Sequence, residues 1–250
     1  MRDAVTLTGI VLSQAPSGEY DKRVVILTKE RGKITAFARG ARRPNSALLA
    51  STGVFAFGTF LLYEGKDAYN LVQANISNYF SELMSDFGAA YYGMYFCELA
   101  DYFTRENGDE IYIMKLLYQS LRALSKKSLD RELVRYIYEL KIFTYSGEYP
   151  EVFRCTQCGK EEGLKLFSIF HTGMVCGECK AAAKDGLLLN PSTVYALQYI
   201  VGATVEKLYT FTVSAEVLAE LRMIMDRWRE KYLEKRMKSL EILESVKDIC

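Results

Sequence analysis

The stretch Arg23-Val24-Val25-Ile26-Leu27-Thr28-Lys29-Glu30-Arg31-Gly32-Lys33-Ile34-Thr35-Ala36-Phe37-Ala38-Arg39 reads as two strands around one turn. β-branched and aliphatic residues fill both arms. Lys29-Glu30-Arg31-Gly32 has the polar, glycine-ended composition of a tight turn. Working outward, Val5 to Ser13 predicts a preceding strand, and Ala15-Pro16-Ser17-Gly18-Glu19-Tyr20 a loop punctuated by Pro and Gly. Val54 to Tyr63 predicts a fourth strand, Glu64-Gly65-Lys66-Asp67 a turn, and Tyr69 to Ile76 a fifth strand. Five short strands in the first 80 residues fit a small closed β-barrel of the OB-fold type, and an SH3-like barrel would give nearly the same pattern.

From Ser81 the period becomes helical. Phe87, Ala90, Tyr91, Met94, Cys97 and Ala100 fall on one face. Ile111, Met114, Tyr118 and Leu121 form a second stripe. Leu129, Leu133, Tyr136, Leu140 and Phe143 form a third, ended by Gly147 and Pro150. Asn190-Pro191 has the form of a cap followed by Pro at the first helical position. A last long helix starts near Ser214 and buries Val217, Leu221, Ile224 and Trp228. The expected architecture is α+β: a barrel over residues 1–80, then a helical domain over residues 81–250 with a small cysteine module inserted at about 150–186.

That module is the strongest chemical signal. Cys155-x2-Cys158 is followed, seventeen residues on, by Cys176-x2-Cys179. Each pair places two thiolates on one knuckle, and two knuckles complete a tetrahedral site. Gly159 and Gly177 follow a ligand in each pair, and Lys165 to Phe170 between them suits the strand of a zinc ribbon. Four thiolates leave no open coordination position, so the expectation is one structural Zn2+, with a rubredoxin-like iron, redox dithiols or coincidence as the lesser alternatives. The spacing also points to a reducing, cytoplasmic setting rather than a disulfide framework. Cys97 reads as core, His171 as a polar loop residue, and Cys250 as incidental.

The chain has 250 residues and a net charge of +1. That balance excludes a uniformly basic protein, but not a binder of nucleic acid, because binding depends on where the charge sits. Between Lys22 and Arg43 there are eight basic residues and one acid, Glu30. Lys22, Arg23, Arg31, Lys33, Arg39, Arg42 and Arg43 are therefore the candidate phosphate contacts, with Tyr20, Phe37, Phe55 and Phe57 nearby as possible stacking platforms. The competing explanation is a solvated basic face. Lys235, Arg236 and Lys238, where the acids of the last helix thin out, are a possible second basic surface.

Other classes lose ground. The single histidine excludes His-rich metal centres, and any Ser-His-Asp or Cys-His mechanism must use His171. There is no GxxxxGKS loop, HExxH or GxSxG, and Lys184-Asp185-Gly186 is one residue short of the KxDG adenylation motif. The uncharged stretches Asn45 to Tyr63 and Leu187 to Val205 carry too many polar groups to span a bilayer. Asp3 and the polar Thr6, Thr8 and Gly9 argue against a signal peptide.

The ordered set of motifs resembles a known family, the bacterial recombination mediator RecO. Gly9-Ile10-Val11-Leu12 with Tyr20-Asp21-Lys22 is similar to its first hairpin, and Thr28-Lys29-Glu30-Arg31-Gly32-Lys33 to its next turn. Ala38-Arg39-Gly40-Ala41-Arg42-Arg43 is similar to its basic signature. Cys155-Thr156-Gln157-Cys158-Gly159 and Cys176-Gly177-Glu178-Cys179 match its zinc module. Leu233-Glu234-Lys235-Arg236-Met237-Lys238-Ser239-Leu240 resembles its closing motif, without a histidine found there in many members. The resemblance implies a non-enzymatic DNA-repair protein of the RecF pathway. Such a protein would bind ssDNA and dsDNA, anneal complementary strands, engage RecR and the C-terminal tail of single-stranded DNA-binding protein (SSB), and help load RecA. It also implies a cytoplasmic, nucleoid-associated location, and a zinc that is dispensable to the family's core task, since some members lack the cysteines. Two other classes stay open on the residues alone: a zinc-containing protein–protein adaptor without DNA binding, and a metal-dependent nuclease hidden among the acids.

Overall fold

A computed structural model describes residues 4–246; Asp3 and Cys250 lie outside that range. The strands are β1 (Ala4–Ser17), β2 (Asp21–Thr28), β3 (Gly32–Ala38), β4 (Phe57–Glu64), β5 (Tyr69–Asn78), β6 (Leu164–Ser168), β7 (Gly173–Cys176) and β8 (Leu187–Leu188). The helices are α1 (Leu48–Ser51), α2 (Ser81–Met84), α3 (Phe87–Phe103), α4 (Ile111–Leu124), α5 (Arg131–Tyr145), α6 (Pro191–Gly202), α7 (Ala215–Tyr232) and α8 (Lys238–Val246). The chain divides into two units. One holds the described residues up to Lys126 together with those from Met237; the other is Lys127–Arg236.

In the first unit the strands close in the order β1-β2-β3-β5-β4. All neighbours are antiparallel except β3 and β5, which pair in parallel over Ala36–Ala38 and Tyr69–Leu71. This is the OB-type barrel that the strand pattern predicts. Alternation fixes what lies inside: Val24, Ile26, Ile34, Ala36 and Ala38 join Leu7, Val11, Phe60, Leu62 and Leu71 in the core. The outward residues Ile10, Leu12, Val25 and Leu27 are buried too, because α3 and α4 pack on β1 and β2. Gly32, at φ +61°, lets the β2–β3 turn approach the chain after α3: a Cβ there would stand 2.3 Å from the Arg105 carbonyl oxygen.

Two local expectations need correction. β1 runs through the segment expected to be a loop, pairing Ala15 with Arg23 and Pro16 with Lys22, so only Gly18–Tyr20 turn. The long β1–β2 ladder, interrupted by one irregularity between Val11 and Ser13, overrides the Pro signal. On α3, Phe87 and Met94 are exposed, whereas Ala89, Tyr92, Phe96 and Leu99 are buried. α3 is apolar nearly all round, so periodicity could not choose its face. Close packing at Gly93 does, where a Cβ would meet the Phe55 ring at 2.9 Å.

In the second unit α5 packs against α6 and α7, and the ribbon β7-β6-β8 carries the cysteines. Side chains of Asn190 and Ser214 cap α6 and α7, as their sequences predict. Trp228 is buried with its ring 5.8 Å from that of Phe167 on β6, and its Nε1 donates to the Glu148 carbonyl at 3.0 Å. Buried charge is matched by charge: Glu139 Oε1 accepts from Arg135 Nε at 2.9 Å and from Arg229 Nη1 at 2.8 Å.

Candidate nucleic-acid interface and metal centre

The loop after β3 is built against the β1–β2 hairpin. Gly40, at φ +64°, turns the chain, and its N–H donates to Asp21 Oδ1 at 2.7 Å. The Arg42 N–H donates to the Tyr20 carbonyl at 2.8 Å. Arg42 Nη1 donates to the Glu19 carbonyl at 3.1 Å, and the Arg43 guanidinium lies 5.2 Å from the Tyr20 ring centroid. Hairpin and loop thus form one rim of exposed cations and a solvent-facing tyrosine. Next to it on the barrel wall, Arg23 and Phe37 are cross-strand partners, both exposed. The side chains of Arg23 and Arg39 make no hydrogen bond or ion pair among the described residues.

The remaining basic residues of the segment differ. Lys22 Nζ donates to the Leu49 carbonyl and to Thr52 Oγ1, each at 3.1 Å, tying β2 to the region of α1. Its pKa is lowered by burial and then by the neighbouring Arg42. Lys33 Nζ pairs with Asp101 at 3.1 Å and also donates to that residue's carbonyl. Arg31 is half-buried in the β2–β3 turn. Of the four aromatics expected nearby, Tyr20 and Phe37 are exposed. Phe55 is buried, and Phe57 packs on Tyr118 at 4.7 Å. The signal for Lys22 and Lys33 is not in their own segment, because Thr52 and Asp101 are 30 and 68 residues away.

Toward the C-terminus, Lys235 and Arg236 are exposed in the connection after α7, and Lys238 is the exposed first residue of α8. The start of α8 is held by Glu98 of α3, whose carboxylate accepts from the N–H groups of Lys238 and Ser239 and from the Ser239 hydroxyl.

The four cysteines converge. The sulfurs of Cys155, Cys158, Cys176 and Cys179 all lie within 4.8 Å of one another. The first knuckle is a reverse turn: Gly159, at φ +76°, donates its N–H to the Cys155 carbonyl at 2.8 Å. Cys158 and Cys176 sulfurs are 3.7 Å apart, close to the edge of roughly 3.8 Å of a tetrahedron with 2.3 Å metal–sulfur bonds. Burial opposes ionisation of Cys155, but N–H groups of Cys176, Gln157 and Cys158 outweigh it and bring the thiol down to about 6. Cys179 is pushed up to about 12 by hydrogen bonding with the Cys158 and Cys176 sulfurs. Together the four sulfurs could hold one cation, and the donor set fits a soft or borderline metal ion. His171 stands apart, its ring nitrogens 3.0 Å from Gln157 Nε2 and from the Ala182 carbonyl. Asp185 of the near-miss adenylation motif fixes a turn by accepting from Ser168 Oγ and the Phe170 N–H.

Fold and site together define a class: an OB-type barrel with a cationic rim, joined to a helical body that carries a four-thiol ribbon. The family model described as Recombination protein O N terminal matches residues 1–80, and that described as Recombination protein O C terminal matches residues 84–241. The DNA repair protein RecO of Acetivibrio thermocellus is 30% identical over 240 residues, 96% of each chain. That of Bacillus pumilus is 31% identical over 241 residues, 96% of this chain and 94% of the other; that of Bacillus subtilis is 29% identical with the same coverage. The chain belongs to the RecO family. No helix among the described residues is long and apolar enough to cross a membrane.

Proposed function

We propose that this protein is a non-enzymatic recombination mediator in DNA repair. It binds ssDNA and dsDNA through the barrel, anneals complementary strands, and with RecR helps load RecA on strands covered by SSB. The observation that carries the proposal is the cationic rim: Arg23, Arg39, Arg42 and Arg43 around the exposed Tyr20, on a barrel whose family is named for recombination and repair. Annealing breaks and makes no covalent bond. It needs cations that reduce repulsion between phosphates while leaving base edges free to pair. Arginines on a loop and strand face do this without gripping bases, and Tyr20 and Phe37 offer sequence-tolerant stacking.

Barrel residues 1–80 carry this task. The helical residues 81–250 engage RecR and the acidic SSB tail, and the ribbon at about 150–186 is stabilised by one Zn2+ held by the four cysteines. The metal supplies folding energy there rather than reactivity. The protein works in the bacterial cytoplasm, at the nucleoid.

The test is annealing of two labelled complementary oligonucleotides, with and without SSB. Wild type accelerates it, and joint charge reversal of Arg39, Arg42 and Arg43 removes the acceleration while circular dichroism shows the protein still folded. No DNA affinity at moderate salt with retained partner capture would replace the mediator with an adaptor. Degradation of the labelled strands in magnesium or manganese, abolished by one carboxylate change, would replace it with a nuclease.

A further inference from the structure

Residues 81–150 carry a net negative charge, with eight basic and eleven acidic side chains, yet one helix face within them is purely cationic. From Ile111 to Leu129 there is no acid at all, and there are four bases. Lys115 and Arg122 project from the exposed side of α4, in line with Tyr112 and with Gln119 between them. The offsets of three, four and three residues keep these positions within about one quarter of the helix circumference. Lys126 extends the line into the closing turn, where its N–H donates to the Ala123 carbonyl at 3.0 Å. The side chains of Lys115, Arg122 and Lys126 are exposed and make no hydrogen bond or ion pair among the described residues.

A solvated helix face ordinarily alternates sign, as α7 does, where Arg222 pairs with Asp226 at i,i+4 and Arg229 with the same carboxylate at i,i+3. α4 lacks any such counter-charge. Glu106, Asp109 and Glu110 stop before the helix begins, and Glu110 Oε1 is engaged by the Arg105 N–H. At its other end the stripe runs into a cleft of about 480 Å³ lined by Asn78, Phe80, Ser81, Glu82, Arg122, Ser125 and Lys126. The cleft is mainly polar, which suits an extended polyanion better than an apolar anchor. Lys115 and Arg122 are separated by roughly 10 Å along the axis, the length of about three nucleotide steps.

From this geometry we infer that the exposed face of α4 is a second track for the phosphodiester backbone of DNA, apart from the barrel rim. The inference rests on the reading that the protein binds DNA. Two backbone tracks on one molecule would let it hold a strand at the rim and a second strand or duplex at α4, the arrangement that annealing requires.

The experiment measures binding of full-length protein to labelled duplex and single-stranded oligonucleotides by anisotropy across a salt series. Lys115→Gln/Arg122→Gln/Lys126→Gln should lower the slope of log K against log salt by about 2 on single strands and nearly 3 on duplex. Thermal unfolding should not change. Glu82→Gln removes the only acid in the cleft lining and should shift affinity the other way, upward. In the wild type, bound DNA should protect Lys115 and Lys126 from acetylation, which needs no variant. An unchanged slope in the triple variant, with rim substitutions still weakening binding, overturns the inference and leaves the DNA-binding reading standing. No binding by the wild type at any salt overturns both. Loss of binding to anionic phosphatidylserine vesicles with DNA binding intact reassigns the face to membrane and overturns the inference.

Discussion

Not all cations of the basic segment are equivalent, and salt dependence can separate them. The guanidinium groups of Arg23 and Arg39 are exposed with no polar partner among the described residues, whereas Lys22 is tied to the Leu49 carbonyl and Thr52 Oγ1. Each phosphate contact contributes about 0.7 to the slope of log K against log salt on single strands, so Arg23→Ala/Arg39→Ala should reduce that slope by about 1.4. Referred to a roughly 1 M limit where release of counterions no longer favours binding, that is about 25-fold weaker binding at 0.1 M. The variant should unfold at the wild-type temperature, since neither side chain holds any part of the barrel. Lys22→Met should do the reverse. It removes two hydrogen bonds from a half-buried ammonium, worth together about 1–2 kcal/mol after allowance for exposure. For a chain of this size that lowers the melting temperature by roughly 2–8 °C, with the slope unchanged. Fluorescence anisotropy with an oligo-dT probe over 50–500 mM salt, beside a thermal melt of each protein, makes the comparison. An unaltered slope in the double arginine variant, or a fall in slope for Lys22→Met without loss of stability, would refute the division into free and occupied cations.

Other outcomes follow from the rest of the molecule. Metal analysis of the purified protein should give about one zinc per chain, and Cys155→Ser should abolish it. Because Phe167 of the ribbon lies against the single tryptophan, chelation should also shift Trp228 emission to the red. Gly32→Ala should lose about 3 kcal/mol or more in chemical denaturation, since the new methyl meets the Arg105 carbonyl and φ is +61°. Lys141 Nζ, buried against the Val201 and Ala203 carbonyls at 2.7 Å, has its pKa lowered by burial from 10.5 to about 8. Between those values the unfolded state binds the extra proton, so this residue makes stability rise with pH from about 8 to 10.5. The difference in unfolding free energy between wild type and Lys141→Met, followed by urea titration across that window, should show the rise.

Much of the fold was legible because it is written locally. Alternating strands separated by Gly18, Gly32 and Gly65 specify a five-stranded β-unit, and Asn190-Pro191 and Ser214 mark helix starts through hydrogen bonds spanning two or three residues. The four-cysteine cluster was legible for the same reason: each x2 spacing makes a knuckle, and only the meeting of the two knuckles is a long-range event. The face of α3 was not legible, because a helix apolar nearly all round has no period to read. The packing of Phe55 on Gly93, 38 positions away in sequence, decides it.

Sequence alone therefore determined the strand and helix types, the four-thiol set and the concentration of positive charge in residues 22–43. Tertiary structure decided how the barrel closes, through the parallel β3–β5 pair, and which cations still face solvent. It also buried Glu139 beside Arg135 and Arg229, and Lys141 beside two carbonyls, none of which stood out as core in the sequence. The physical reason is the same in each case. Periodicity and capping depend on neighbours within a turn or two, whereas a charge is free or satisfied according to partners that only the folded chain brings within reach.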